Sequence, residues 1–135
     1  MLSKSVEYAI KSLILIKYQD SSINIESISD RLEIPKNFTA KILQILVKKG
    51  YINSRRGPGG GFSVNDYSFT IEDIVNDIDS GFKYDRCVLG LSECSDDNPC
   101  PLHENYKPIK NKILKKFMKI TIDEICKNPN KVLKL

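Results

Sequence analysis

Residues 24–64 read NIESISDRLEIPKNFTAKILQILVKKGYINSRRGPGGGFSV, and the punctuation of this stretch decides the fold. Asn24 can cap a short helix that carries Ile25, Ile28 and Leu32 toward a core. A tight turn at Glu33-Ile34 follows. Pro35 suits the start of a second helix, in which Phe38, Ile42, Leu43, Ile45, Leu46 and Val47 supply the apolar side until Gly50 stops it. Two short helices joined by a tight turn, the second of them basic, form the helix-turn-helix pattern. Beyond Gly50 the chain reads as two short strands, Tyr51-Ile52-Asn53-Ser54 and Phe62-Ser63-Val64, around the turn Arg55-Arg56-Gly57-Pro58-Gly59-Gly60-Gly61. A hairpin directly after a recognition helix is a wing. The glycines could instead cradle a nucleotide phosphate, but no Lys-Ser/Thr pair follows them and no strand leads into a helix, so that reading fails. In a wing the same glycines let backbone approach a groove while Arg55 and Arg56 deliver charge.

Outward from this stretch, both flanks read as helical. Ser3 or Ser5 can cap a long amphipathic helix built on Val6, Ala9, Ile10, Leu13, Ile14 and Ile16. Glu7, Lys11 and Lys17 interrupt its apolar run and no small-residue cleavage site ends it, so neither a signal peptide nor a membrane span is expected. On the other side, Thr70 and Asp73 read as cap and first-turn acid of a helix using Ile71, Ile74, Val75 and Ile78 up to Gly81. Ile109, Ile113, Phe117 and Ile120 then form a narrow stripe on a lysine-rich helix, with Pro108 placing its start near 104–107. So thin a seam predicts pairing with a second copy of the chain. Thr121 can cap a last short helix with Ile122 and Ile125, where Cys126 falls on the apolar face as a core cysteine, and a frayed tail follows.

The 135 residues carry a net charge of +4 that hides strong segregation. Residues 36–56 hold Lys36, Lys41, Lys48, Lys49, Arg55 and Arg56 without an acid, whereas residues 66–104 hold ten acids against Lys83 and Arg86. The basic block suits a phosphate backbone, and the acidic block keeps what lies in it away from that backbone. On the second helix, Asn37 and Lys41 are the candidates for base edges, because Asn can bond adenine and Lys guanine.

Within the acidic block lies CVLGLSECSDDNPCPLH, residues 87–103, with Cys87, Cys94, Cys100 and the sole histidine, His103. Its glycine, prolines and acids predict a loop that cannot bury itself. Three thiolates and an imidazole suit zinc or an iron–sulfur cluster, and spacings of six and five residues are wide for a zinc knuckle. Free thiols serving a redox switch are the alternative. A Cys100–His103 nucleophilic pair lacks an evident orienting group and oxyanion site, so no enzyme is expected.

The order of amino-terminal helix, helix-turn-helix, wing Arg56-Gly57-Pro58-Gly59-Gly60-Gly61-Phe62, three spaced cysteines and long helix resembles the IscR/NsrR, or Rrf-two, family of bacterial regulators over nearly the whole chain. Cys100-x-x-His103 matches the end of the iron–sulfur pattern in the IscR branch, and Ile120-Thr121-Ile122-Asp123-Glu124-Ile125 looks like the family's closing helix. The resemblance implies a cytoplasmic, homodimeric, winged-helix transcription factor that binds double-stranded palindromic DNA, has no membrane partner, and responds to redox, oxygen, nitric oxide or iron–sulfur status. Its cluster ligands would be Cys87, Cys94, Cys100 and one further residue. His103 is the first candidate. In branches resembling NsrR an acid on the first helix of the opposite subunit completes the site, and Glu7 holds that place here. A 2Fe-2S cluster is favoured over 4Fe-4S, with zinc behind both. Two departures stand out: IscR-like members usually place five residues between the first two ligand cysteines, and Ala40 occupies the position where a glutamate can discriminate bases.

The expected architecture is mainly α with a small β-hairpin wing. Residues 1–81 form the winged helix-turn-helix domain, 82–103 the cluster-binding loop and 104–135 the dimerisation and carboxy-terminal helices. DNA contacts are expected from Lys36, Asn37, Thr39, Lys41, Arg55, Arg56, Gly57, Pro58 and Gly59, and dimer contacts from Ile109, Ile113, Phe117 and Ile120.

Overall fold

A computed structural model describes residues 2–64, 66–81, 83 and 86–127. The expected carboxy-terminal tail, from 128 on, and the start of the loop at residues 82, 84 and 85 lie outside the described residues. The architecture is mainly helical with one two-stranded antiparallel hairpin.

Helix α1, Lys4–Lys17, is the hub. Ser3 caps it, its side chain accepting from Val6 N–H. Leu13, Ile14, Leu15 and Ile16 are all buried, because α1 is enclosed by the helix-turn-helix on one side and by later helices on the other. Helix α2, Ile25–Leu32, starts at the Asn24 cap, and α3 spans Lys36–Lys48. The turn between them puts Glu33 at φ +52°, a left-handed conformation uncommon for a residue with a Cβ. Two buried hydroxyls stitch it: Ser29 Oγ donates to the Ile34 carbonyl at 2.6 Å, and Thr39 Oγ1 to the Pro35 carbonyl at 3.2 Å. Phe38 departs from the expected core face. It is 45% exposed and meets Tyr8 of α1 edge-on, ring centroids 6.0 Å apart, because the i, i+4 face that begins at Thr39 and Ile42 already fills the interior.

Strands β1, Asn53–Arg55, and β2, Gly61–Ser63, pair antiparallel with Ser54 opposite Phe62. The hairpin is pinned to the body where Phe62 exchanges both backbone hydrogen bonds with Ile23, at 2.8 and 3.1 Å. Gly61 makes this possible. Its φ is +138°, and a Cβ there would lie 2.6 Å from the Ile23 carbonyl oxygen.

Helix α4, Ile71–Ile78, opens with the expected Thr70/Asp73 capping box and ends at Asp79, before Gly81. Asp77 accepts from Lys49 at 2.8 Å and from the Tyr51 hydroxyl at 2.6 Å, tying α4 to the end of α3. Lys49 first, then Tyr51, holds the Asp77 carboxyl below its usual range, while burial and that carboxylate push the Tyr51 hydroxyl up.

Helix α5, His103–Lys115, begins earlier than Pro108 predicts, and Pro108 sits inside it. The carbonyls of Cys100 and Leu102 take up the amides of His103 and Tyr106, so the first turn is already wound upstream of the proline. The helix then breaks at Lys116 into a 3₁₀ turn, Phe117–Lys119, and α6, Ile122–Cys126, follows a second capping box at Thr121. The expected stripe therefore does not run along one helix. Ile109 is 56% exposed, whereas Ile113, Phe117 and Ile120 pack against the chain's own core. Met118 in the 3₁₀ turn is buried in the core, and the turn packs on α4. Backbone bonds from Ile71 to Ile120, from Ile122 to Phe69 and from Asp123 to Tyr67 strap α6 onto the amino-terminal unit. Cys126 lies in the core as its apolar position predicts, and burial pushes its thiol up.

Candidate nucleic-acid interface and cysteine–histidine site

The outer face of α3 presents Asn37, Lys41, Gln44 and Lys48 to solvent, each one turn beyond the last. Lys36 is exposed at its start and pairs with Glu26 at 2.5 Å. Arg55, Arg56, Gly57, Pro58 and Gly59 are exposed on the hairpin and its tip. An open cleft of about 380 Å³ separates α3 from the hairpin, lined by Ala40, Gln44, Lys48, Ser54 and Arg56 among others. Thr39 does not belong to this surface. It is 1% exposed and its hydroxyl is spent on the Pro35 carbonyl, so its side chain serves the turn. Gln44 is absent from the residues picked out by sequence reasoning, and Lys48 enters there only as part of the basic block, although their spacing from Asn37 and Lys41 announces the same face.

The cysteine segment has no regular secondary structure before α5, as its composition predicts. It folds around two contacts. In the first, Cys87 and Cys100 lie near enough for each thiol to affect the other's ionisation. The Leu89 amide donates to Cys87 and holds its thiol below the usual range, while burial raises that of Cys100. In the second, Cys94 Sγ stands 3.5 Å from His103 Nδ1. His103 is 3% exposed, and its other nitrogen, Nε2, lies 2.7 Å from Asp96 Oδ1. Lys107 Nζ grips both oxygens of Asp96, at 2.6 and 2.7 Å, and with His103 holds that carboxyl below its usual range.

The four loop candidates thus associate as two pairs, Cys87 with Cys100 and Cys94 with His103, and Cys94 is close enough to Cys100 to influence its ionisation. Among the described residues, no three His, Cys, Asp or Glu groups converge tightly enough for a single metal ion. The donor set nonetheless fits a larger thiolate-bound group, since one imidazole nitrogen faces the Cys94 thiol while its opposite nitrogen is held by a carboxylate, the usual support for a ligating histidine. Asp96 is also the orienting group that the loop's sequence does not reveal; nothing in the spacing of residue 96 from 103 signals it. Glu7 lies on α1 and pairs with Lys4 at 2.8 Å, an interaction that lowers its carboxyl pKa.

No helix among the described residues is long and apolar enough to cross a membrane. The model of the Rrf2 family, described as iron-dependent transcriptional regulators, matches residues 2–128. A protein of Aquifex aeolicus, named as a helix-turn-helix-type transcriptional regulator, is 33% identical over 130 residues, covering 93% of this chain and 90% of that one. The regulator IscR of Pectobacterium atrosepticum is 24% identical over 131 residues, with 94% of this chain and 79% of IscR covered. Among solved structures, CymR, the global cysteine regulator of B. subtilis, superposes with a TM-score of 0.74 at 16% identity, covering 94% of this chain and 96% of CymR.

Proposed function

The chain belongs to the Rrf2 family of transcriptional regulators, and on that premise we propose that it is a homodimeric DNA-binding regulator governed by an iron–sulfur cluster on Cys87, Cys94, Cys100 and His103. The observation that carries the reading is the buried His103 ring, with Nδ1 toward Cys94 and Nε2 on Asp96. A surface histidine would have no reason to be buried and aimed at a thiol. When bound, the cluster supplies redox and oxygen sensitivity. A 2Fe-2S cluster is favoured, since histidine in place of thiolate is a known ligation of that type.

The remaining steps belong to the chain's own side chains. Asn37, Lys41 and Gln44 would meet base edges in the major groove, while Lys36, Lys48, Arg55 and Arg56 neutralise phosphates or enter the adjacent groove. The Gly57-Pro58-Gly59 tip would let hairpin backbone approach the duplex. Ile109 on α5, exposed in one chain, would meet its twin, with Ile113, Phe117 and Ile120 supporting it from the core side. Because His103 opens α5 and the cysteines precede it, a change in the loop reaches that helix directly, and through it the spacing of the two recognition helices.

The experiment is a comparison of DNA affinity between states. A duplex selected from a random library by the anaerobically prepared protein should bind the loaded and cluster-stripped forms with affinities at least about fivefold apart, the low end of allosteric coupling. Equal affinities at matched salt would remove the sensing role.

The nearness of Cys87 and Cys100, each affecting the other's ionisation, favours one second reading, a thiol switch. There, both thiols lose a proton and together give two electrons to a peroxide or disulfide oxidant, closing an S–S bond. A loss of two hydrogens per chain under mild oxidation, in protein that never holds iron, would support it.

A further inference from the structure

We infer that Asp96 is the positioning residue of His103: its carboxylate holds the Nε2 proton, so that Nδ1 is left bare toward Cys94 as the ring nitrogen that ligates the cluster. This deepens the cluster reading above and rests on it. Three observations build the case. His103 is almost wholly buried, so its ring cannot turn without breaking contacts. Its two nitrogens face chemically different partners, a thiol at 3.5 Å and a carboxylate at 2.7 Å. Asp96 is itself fixed by two contacts from Lys107, one helical turn after His103 on α5. A neutral imidazole has one donor and one acceptor nitrogen, and a carboxylate can only accept, so the proton belongs on Nε2.

Lys107 gives the arrangement its anchor. It and His103 lie at i and i+4 on one face of α5, and Asp96 spans that face, so the loop is clamped to the helix that follows it. Without Asp96, the buried ring would choose its tautomer freely and Nδ1–H would point at Cys94 in part of the population. A protonated Nδ1 cannot ligate iron.

The test has two arms. In the apoprotein, ¹⁵N NMR of the ring nitrogens reads the tautomer of His103 without overlap, because it is the only histidine in the chain. The neutral ring should carry its proton on Nε2 in the natural protein, keep it in Asp96→Asn, whose amide oxygen still accepts, and lose that preference in Asp96→Ala. In the loaded protein, Asp96→Ala should shorten the cluster's lifetime in air by about 10- to 100-fold, the usual cost of removing such a support. The same substitution should add nothing in a His103→Cys background, where there is no ring to position. Equal shortening in both backgrounds, or an Nε2 proton that survives in Asp96→Ala, would overturn the inference. Should the natural protein take up no iron and sulfide at all, the cluster reading fails, and the NMR arm alone still decides whether Asp96 sets the tautomer.

Discussion

At the scale of single residues, chemistry and place have to be read together. Thr39 and Lys41 sit two apart on the same basic helix, yet one is sealed in the turn and the other faces solvent. Replacing Thr39 by Val should therefore lower stability by about 1 kcal/mol, the net worth of its hydrogen bond, while leaving the salt dependence of DNA binding unchanged; chemical denaturation and a salt titration read the two effects separately. Arg56, exposed on the hairpin, should behave in the opposite way. Arg56→Ala should leave the unfolding midpoint in place and reduce the slope of log K against log salt by about one, and an unchanged slope would count against the wing's contact with DNA. Residue chemistry alone placed Cys126 in the core correctly, because it lies on the apolar face of a capped helix. It placed Phe38 there wrongly, since an aromatic at the edge of the apolar arc can lean on Tyr8 and remain half exposed.

Elements were legible where their ends carry signals. Asn24, Thr70 and Thr121 each cap the helix that their sequence position announces. The α5 region was not, because the helix breaks into a 3₁₀ turn whose Met118 is buried in the core, a tertiary demand that helical periodicity does not encode. This changes which variant probes association. Ile113→Asp would damage the chain's own core and its partner surface at once, whereas Ile109→Asp touches only the exposed end of the stripe. Ile109→Asp should keep the melting temperature of the dilute chain and weaken self-association at micromolar concentration; light scattering that finds an unaltered dimer would exclude this end of α5 from the interface. The wing offers a matching test of register. Gly61→Ala forces a Cβ against the Ile23 carbonyl at a positive φ, and should cost about 1–3 kcal/mol while displacing the hairpin. Its DNA binding should fall further than that of Gly57→Ala, whose Cβ would meet open space, although both positions share the backbone strain of a positive φ.

For the whole molecule, the closing contacts join residues far apart in sequence, and this is the part that sequence could not show. Asp123 of α6 accepts from Lys17 of α1 at 2.8 Å and pairs with Lys127 at 2.7 Å. Lys127 first, then Lys17, lowers its pKa from the ordinary 3.8 to about 2. A carboxyl depressed on folding stabilises the native state above its unfolded pKa and loses that contribution as pH falls through the folded one. Acid melts should accordingly show native stability declining between about pH 4 and pH 2, with Asp123→Asn less stable at neutral pH and flatter across that window. The cysteine loop sits on the same footing. Its composition announced a loop and its donor types a cluster, but the pairing of Cys94 with His103, and the hold of Asp96 on the ring, arise only when α5 is wound back over the loop. That the loop carries a cluster is the centre of the account, and iron and acid-labile sulfide per chain, measured on protein purified without oxygen alongside its visible absorption, test it most directly. Two iron and two sulfide per chain are expected, with a visible spectrum that bleaches in air and that shifts in His103→Ala but not in Glu7→Ala. Protein free of iron and sulfide, or a spectrum destroyed by Glu7→Ala and untouched by His103→Ala, would contradict it.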